Sequence, residues 1–132
     1  MQDELLMEIR VRILEPVSVK GGKTDIVMIT FTGEASGPYF TGRTASTGVD
    51  TQKIDKTGRA VLSARYMLEG KDAGGNACRV FIENYGSWDT GFTPMIVTDS
   101  PLLASWEDAE LYATVDGIPE GVKIGIYRKG NE

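Results

Sequence analysis

The sequence has no histidine and a single cysteine, Cys78. Without histidine, Ser-His-Asp and Cys-His catalysis, histidine zinc sites and histidine pH switching are excluded. One thiol permits no intrachain disulfide and no multi-cysteine metal cage. Long apolar runs are also lacking. Leu5 to Met7 and Ile26 to Ile29 fall far short of the ~20 residues of a membrane-spanning helix. The start, Met-Gln-Asp-Glu, lacks the basic and apolar character of a secretory signal. The net charge of −5 argues against sequence-independent nucleic-acid binding. These absences predict a cytoplasmic protein with no metal, no cofactor, and neither a nucleic-acid nor a membrane partner. Basic residues are missing from Val80 to Val122, where eight acids stand: Glu83, Asp89, Asp99, Glu107, Asp108, Glu110, Asp116 and Glu120. That stretch reads as a solvated acidic surface.

Glycine and alternation dominate what is present. The chain has 132 residues, enough for one domain over 1–132, and 16 of them are glycine. Turn signals recur at Gly21-Gly22, Asp55 to Gly58, Gly70 to Asn76, Gly86 to Gly91 and Asp116 to Gly121. Between them, apolar residues alternate with polar ones. Met7, Ile9, Val11 and Ile13 share one face. Cys78, Val80, Ile82 and Asn84 share another, as do Ala109, Leu111, Ala113 and Val115. Strands are predicted at about 5–15, 24–34, 38–45, 48–55, 58–69, 76–86, 92–98, 107–116 and 121–129. Only Pro101 to Asp108 looks helical, with Ser100 as a possible cap. Eight to ten strands with no covering helices form a sandwich or close on themselves. Residues 60–68 are apolar on both faces, which favours closure into a small antiparallel β-barrel with a central cavity.

Four further features bear on chemistry. Gly21-Gly22-Lys23-Thr24 lacks the earlier glycine of a phosphate-binding loop and precedes a strand pattern, so it reads as a hairpin turn. Glu107, Asp108 and Glu110 are crowded, but strand alternation sends the first two to opposite faces. Arg65 lies within a strand that must be buried on one side. An arginine there needs a partner or a wet cavity. The expected arrangement puts Asp50, Arg65 and Asn84 together in the lumen, with Gln52 and Tyr66 nearby. Arg65 would then hold the Asp50 pKa down, and Tyr66, on the opposite face, would point outward.

Four segments also resemble one family. Ser36-Gly37-Pro38 to Gly42-Arg43 is similar to its Ser-Gly-Pro-x-x-x-Gly stretch, and Gly48-Val49-Asp50-Thr51-Gln52 to its Gly-Ala-Asp-Trp-Gln. Ala64-Arg65-Tyr66-Met67-Leu68-Glu69 resembles Ala-Arg-Tyr-x-Leu-Glu, and Asn84-Tyr85-Gly86 resembles Asn-x-Gly. The family is the domain of unknown function 3237 group, also called uncharacterised protein family 0311. The resemblance covers residues 7 to 129 and implies a single small β-barrel with a central cavity. Its matching polar positions are Asp50, Gln52, Arg65, Tyr66 and Asn84. Thr51 replaces the usual Trp, and Pro94 to Val115 departs from the pattern.

Three functions fit these residues. One is a barrel that binds a small anionic or carbonyl-bearing molecule, with Arg65 pairing an oxygen and Asn84 and Tyr66 donating hydrogen bonds. A second is a metal-independent isomerase, cyclase or lyase with Asp50 as base. A third is a structural module. A homodimer is expected from the cluster Phe92, Met95, Ile96, Leu102, Leu103 and Trp106, which would otherwise plug the barrel end.

Overall fold

A computed structural model describes residues 2–130. Nine strands occur among them: β1 (Glu4–Lys20), β2 (Thr24–Ser36), β3 (Phe40–Thr44), β4 (Gly48–Asp55), β5 (Ala60–Asp72), β6 (Ala77–Ser87), β7 (Gly91–Thr98), β8 (Leu111–Ile118) and β9 (Gly121–Arg128). All neighbours pair antiparallel. The sheet runs β1-β9-β8-β7-β6-β5 and returns to β2 through β3 and β4, and β2 closes it onto β1. The chain is therefore all-β, a single closed antiparallel ring.

The β2–β5 gap is filled by different strands in the two halves of the ring. β4 bridges Thr24–Phe31 to Ala60–Arg65. β3 bridges Glu34–Ala35 to Leu68–Asp72. The thinnest seam is β7–β8, joined at Phe92 and Ala113.

Period-2 alternation sorts side chains inward and outward on every strand. In one half, Leu6, Met7, Ile9, Phe40, Leu68, Val80, Ile82, Leu103 and Ile126 are fully enclosed. A short 3-10 turn, η1 (Ala104–Glu107), lies over this end and inserts Trp106, 2% exposed, edge-on against Tyr39. That turn replaces the predicted start of the eighth strand at 107. Ser100 does not cap it; the Ser100 hydroxyl donates to the Asp72 carboxylate at 2.8 Å instead.

β1 also runs five residues beyond its predicted end. A register shift between Ile13 and Pro16 absorbs the proline, and β1 continues along β2 to Lys20. The Gly21-Gly22 segment is the hairpin turn, closed by the Gly21 N–H donating to the Thr24 carbonyl at 3.0 Å.

On the outside, one row of cross-strand partners alternates in charge around much of the ring. It reads Asp116, Lys123, Arg10, Glu34, Arg43, Glu69 and Arg79, with one like-charged step between Lys123 and Arg10.

Candidate functional site

The half of the ring bridged by β4 is not filled. An inward row crosses five strands as Ile29 (β2), Asp50 (β4), Ala64 (β5), Asn84 (β6) and Pro94 (β7). Ala64 separates two polar residues, whose backbones stand about 10 Å apart at two strand spacings. Its methyl group leaves space between them. The next row outward is Val27, Gln52, Leu62, Gly86 and Phe92, and there Gly86 contributes no side chain. The result is a cavity of about 140 Å³. Its polar residues are Asp50, Gln52 and Asn84; the walls are apolar, with Val11, Phe31, Phe92 and Ile124 among them. Trp88 stands at its mouth, 64% exposed and edge-on against Phe92.

The row below is sealed. Phe31 and Tyr66 meet edge to face at 5.4 Å over Gly48. A Cβ on Gly48 would stand 2.5 Å from Phe31 Cζ and 2.7 Å from Tyr66 Cβ, so only glycine fits between the rings. This layer is the cavity floor.

Polar groups at the site are incompletely paired. Gln52 Nε2 donates to Asp50 Oδ2 at 2.9 Å. Asp50 Oδ1, Asn84 Oδ1 and the Tyr66 hydroxyl are buried without a hydrogen-bond partner. Natural interiors rarely leave such groups unpaired, and those that remain call for a water or a ligand. Asn84 is 5% exposed. Burial pushes the Asp50 carboxyl above its ordinary value, and the Gln52 hydrogen bond opposes this. Burial likewise pushes the Tyr66 phenol up, keeping it neutral.

The structure thus brings Asp50, Gln52 and Asn84 to one cavity, and it corrects two expectations. Arg65 does not enter the lumen. It projects from the outer face of β5, where its Nε lies 2.6 Å from Glu83 Oε2 and its side chain is 65% exposed. Tyr66 does not face outward; it is buried in the floor layer. Both follow from register: Arg65 pairs with Glu83, and Ala64 pairs with Asn84. With Arg65 outside, no cation lines the cavity among the described residues, and the Asp50 pKa moves up rather than down.

The proposed apolar surface cluster is also corrected. Phe92, Ile96, Leu103 and Trp106 are buried, and only Met95 and Leu102 are exposed. Cys78 is buried, and burial raises its pKa. Glu107 accepts the Thr98 backbone N–H at 2.8 Å, and Glu110 pairs with Lys129 at 3.0 Å.

Sequence reasoning missed Ala64 and Trp88. Ala64 carries a signal, since a small residue in a bulky inward row marks a space. A wider depression of about 890 Å³ lies outside the ring, but Arg10, Glu34, Arg43, Glu69 and Arg79 of the charged row line it and largely neutralise one another.

Solved structures share this architecture. A protein with unknown function from Clostridium acetobutylicum ATCC 824 superposes with a TM-score of 0.83 at 22% identity, covering 98% of this chain and 97% of that one. An enzyme from Penicillium herquei gives 0.79 at 13% identity, over 98% and 94%. A beta-barrel like protein from Acinetobacter baumannii AYE gives 0.74 at 19% identity, over 98% and 96%. At these identities the likeness shows the fold alone. No curated protein matches the chain. The family model for a protein of unknown function, DUF3237, matches residues 2–95, so the chain belongs to that family.

Proposed function

We propose that the protein binds a small, uncharged, ring-sized organic molecule in the half-ring cavity, with its polar groups directed at Asp50 and Asn84. The unpaired buried oxygens of Asp50 and Asn84 carry this reading, because a ligand hydrogen-bonded to both would relieve their desolvation. The size fits: a cavity of about 150 Å³ lined by apolar side chains is large enough to take up benzene. The charge fits as well. An anionic ligand would sit beside Asp50 with no cation to offset it, so a neutral hydroxyl or carbonyl compound suits the site better.

Calorimetry with phenol, benzamide and benzoate as probes tests the reading. Phenol or benzamide should bind, and benzoate should bind at least tenfold more weakly. Ala64→Leu, which fills the gap between Asp50 and Asn84, should abolish binding in a folded protein. If none of the probes binds, or if Ala64→Leu binds them equally well, the reading fails.

Asp50 supports a second reading, proton transfer on the bound molecule. It is the one ionisable side chain lining the cavity among the described residues, and its raised pKa moves it toward the range of a general acid or base. The Asn84 and Gln52 amides could stabilise a developing oxyanion. A protein of the same fold from Penicillium herquei is an enzyme. Asp50→Asn should then abolish turnover while binding remains.

A further inference from the structure

The outside of the ring differs between its two sides. One side carries the charged row. The other, over β1, β2, β4, β5, β6 and β7, carries many exposed apolar side chains where a strand's solvent face should be polar, with Lys53, Arg65 and Glu83 among them. Three adjacent outward rows compose it. The first reads Val17, Met28, Thr51, Ser63 and Tyr85. Small Thr51 and Ser63 between large Met28 and Tyr85 form a groove of about 440 Å³. The middle row holds the Arg65–Glu83 ion pair, flanked by Val49 and Met95. The third is a ridge of Met67, Phe81 and Val97.

We propose that this face pairs with the same face of a second copy of the chain, forming a two-fold dimer. Two observations select that occupant. The patch is self-complementary, with a groove on one side of the Arg65–Glu83 row and a ridge on the other. A two-fold axis through that row seats each ridge in the opposite groove, as an isologous interface requires. The area is also sufficient. Apart from the half-buried Val49 and Phe81, the large apolar side chains of these rows, together with Val19 and Val61 of the adjoining row, are each 38–67% exposed. Together they present roughly 700 Å², close to the ~800 Å² per partner of a standard interface. The cavity opens on the inner face of the same strands, so the dimer would leave its mouth free.

Sedimentation analysis of the full chain tests this. Wild type should run at about 29 kDa, twice the chain's 14.4 kDa. Met67→Glu and Val97→Glu, both outward and away from the cavity, should each run as monomers with unchanged strand spectra. A wild type that stays at 14.4 kDa at about 100 μM, whether or not it floats with phosphatidylglycerol vesicles, overturns the proposal. So does a dimer that survives both glutamate substitutions.

Discussion

The two halves of the ring follow the same alternation rule but have different interiors. In the half bridged by β3, bulky residues fill the interior: Phe40, Leu68, Val80, Leu103 and Trp106 are all buried in one apolar core. In the half bridged by β4, the inward positions hold Asp50, Ala64, Asn84 and Gly86, and a cavity of about 140 Å³ remains. Two residues along each strand separate the sealed layer of Phe31, Gly48 and Tyr66 from the open one. The packed half supplies the core free energy. The open half holds unpaired polar atoms that cost stability and are useful only if something binds there.

Equivalent truncations should therefore cost unequal amounts. Val80→Ala, in the packed half, should lose about 2–3 kcal/mol in denaturant unfolding. Val115→Ala, on the cavity wall, should lose about 1 kcal/mol or less, because its methyl groups already border empty space. Equal losses would mean that the halves do not differ in packing.

Gly48→Ala probes the layer between them. The added methyl group would overlap Phe31 and Tyr66, so a loss of about 2–3 kcal/mol is expected, with a changed near-UV spectrum from the displaced rings. Asp50→Asn should act in the opposite direction. The native state binds the Asp50 proton more tightly than the unfolded chain, since burial raises its pKa above the ordinary 3.8. Its contribution to stability is fully present below 3.8 and is lost as pH rises through the higher native value. The variant should thus exceed wild type by about 1 kcal/mol at pH 7 and match it near pH 3. Thermal unfolding at the two pH values decides. The smallest effect is expected on the charged side of the ring. Arg10→Ala breaks an exposed pair with Glu120 at 3.0 Å and should change stability by about 0.5 kcal/mol or less, shrinking further in 1 M salt.

The strands were legible because alternation and glycine turns are local signals. Where β1 ends was not, because Pro16 reads as a terminator unless its place at a register shift beside β2 is known. The site was half legible. Asp50 and Gln52 share a face by simple alternation, and Asn84 shares one with Val80 and Ile82. Arg65 was misplaced because β5 is apolar on both faces, which leaves its inward side undecided within the strand. The neighbour decides it: Asn84 must pair with Ala64, so Arg65 pairs with Glu83 on the outside. Val61 and Met67 on the outward face of β5 stand partly exposed on the outside of the ring, not in the lumen.

The most direct test of the account is a backbone-amide NMR titration with phenol. Shifts are expected at Asp50, Ala64, Asn84 and Phe92, with the fully packed positions Phe40, Leu68 and Val80 unmoved, and with the response lost in Ala64→Leu. Shifts confined to the outer row around Arg65 and Glu83, or none at millimolar phenol, would contradict the claim that the open half of the ring is a binding site.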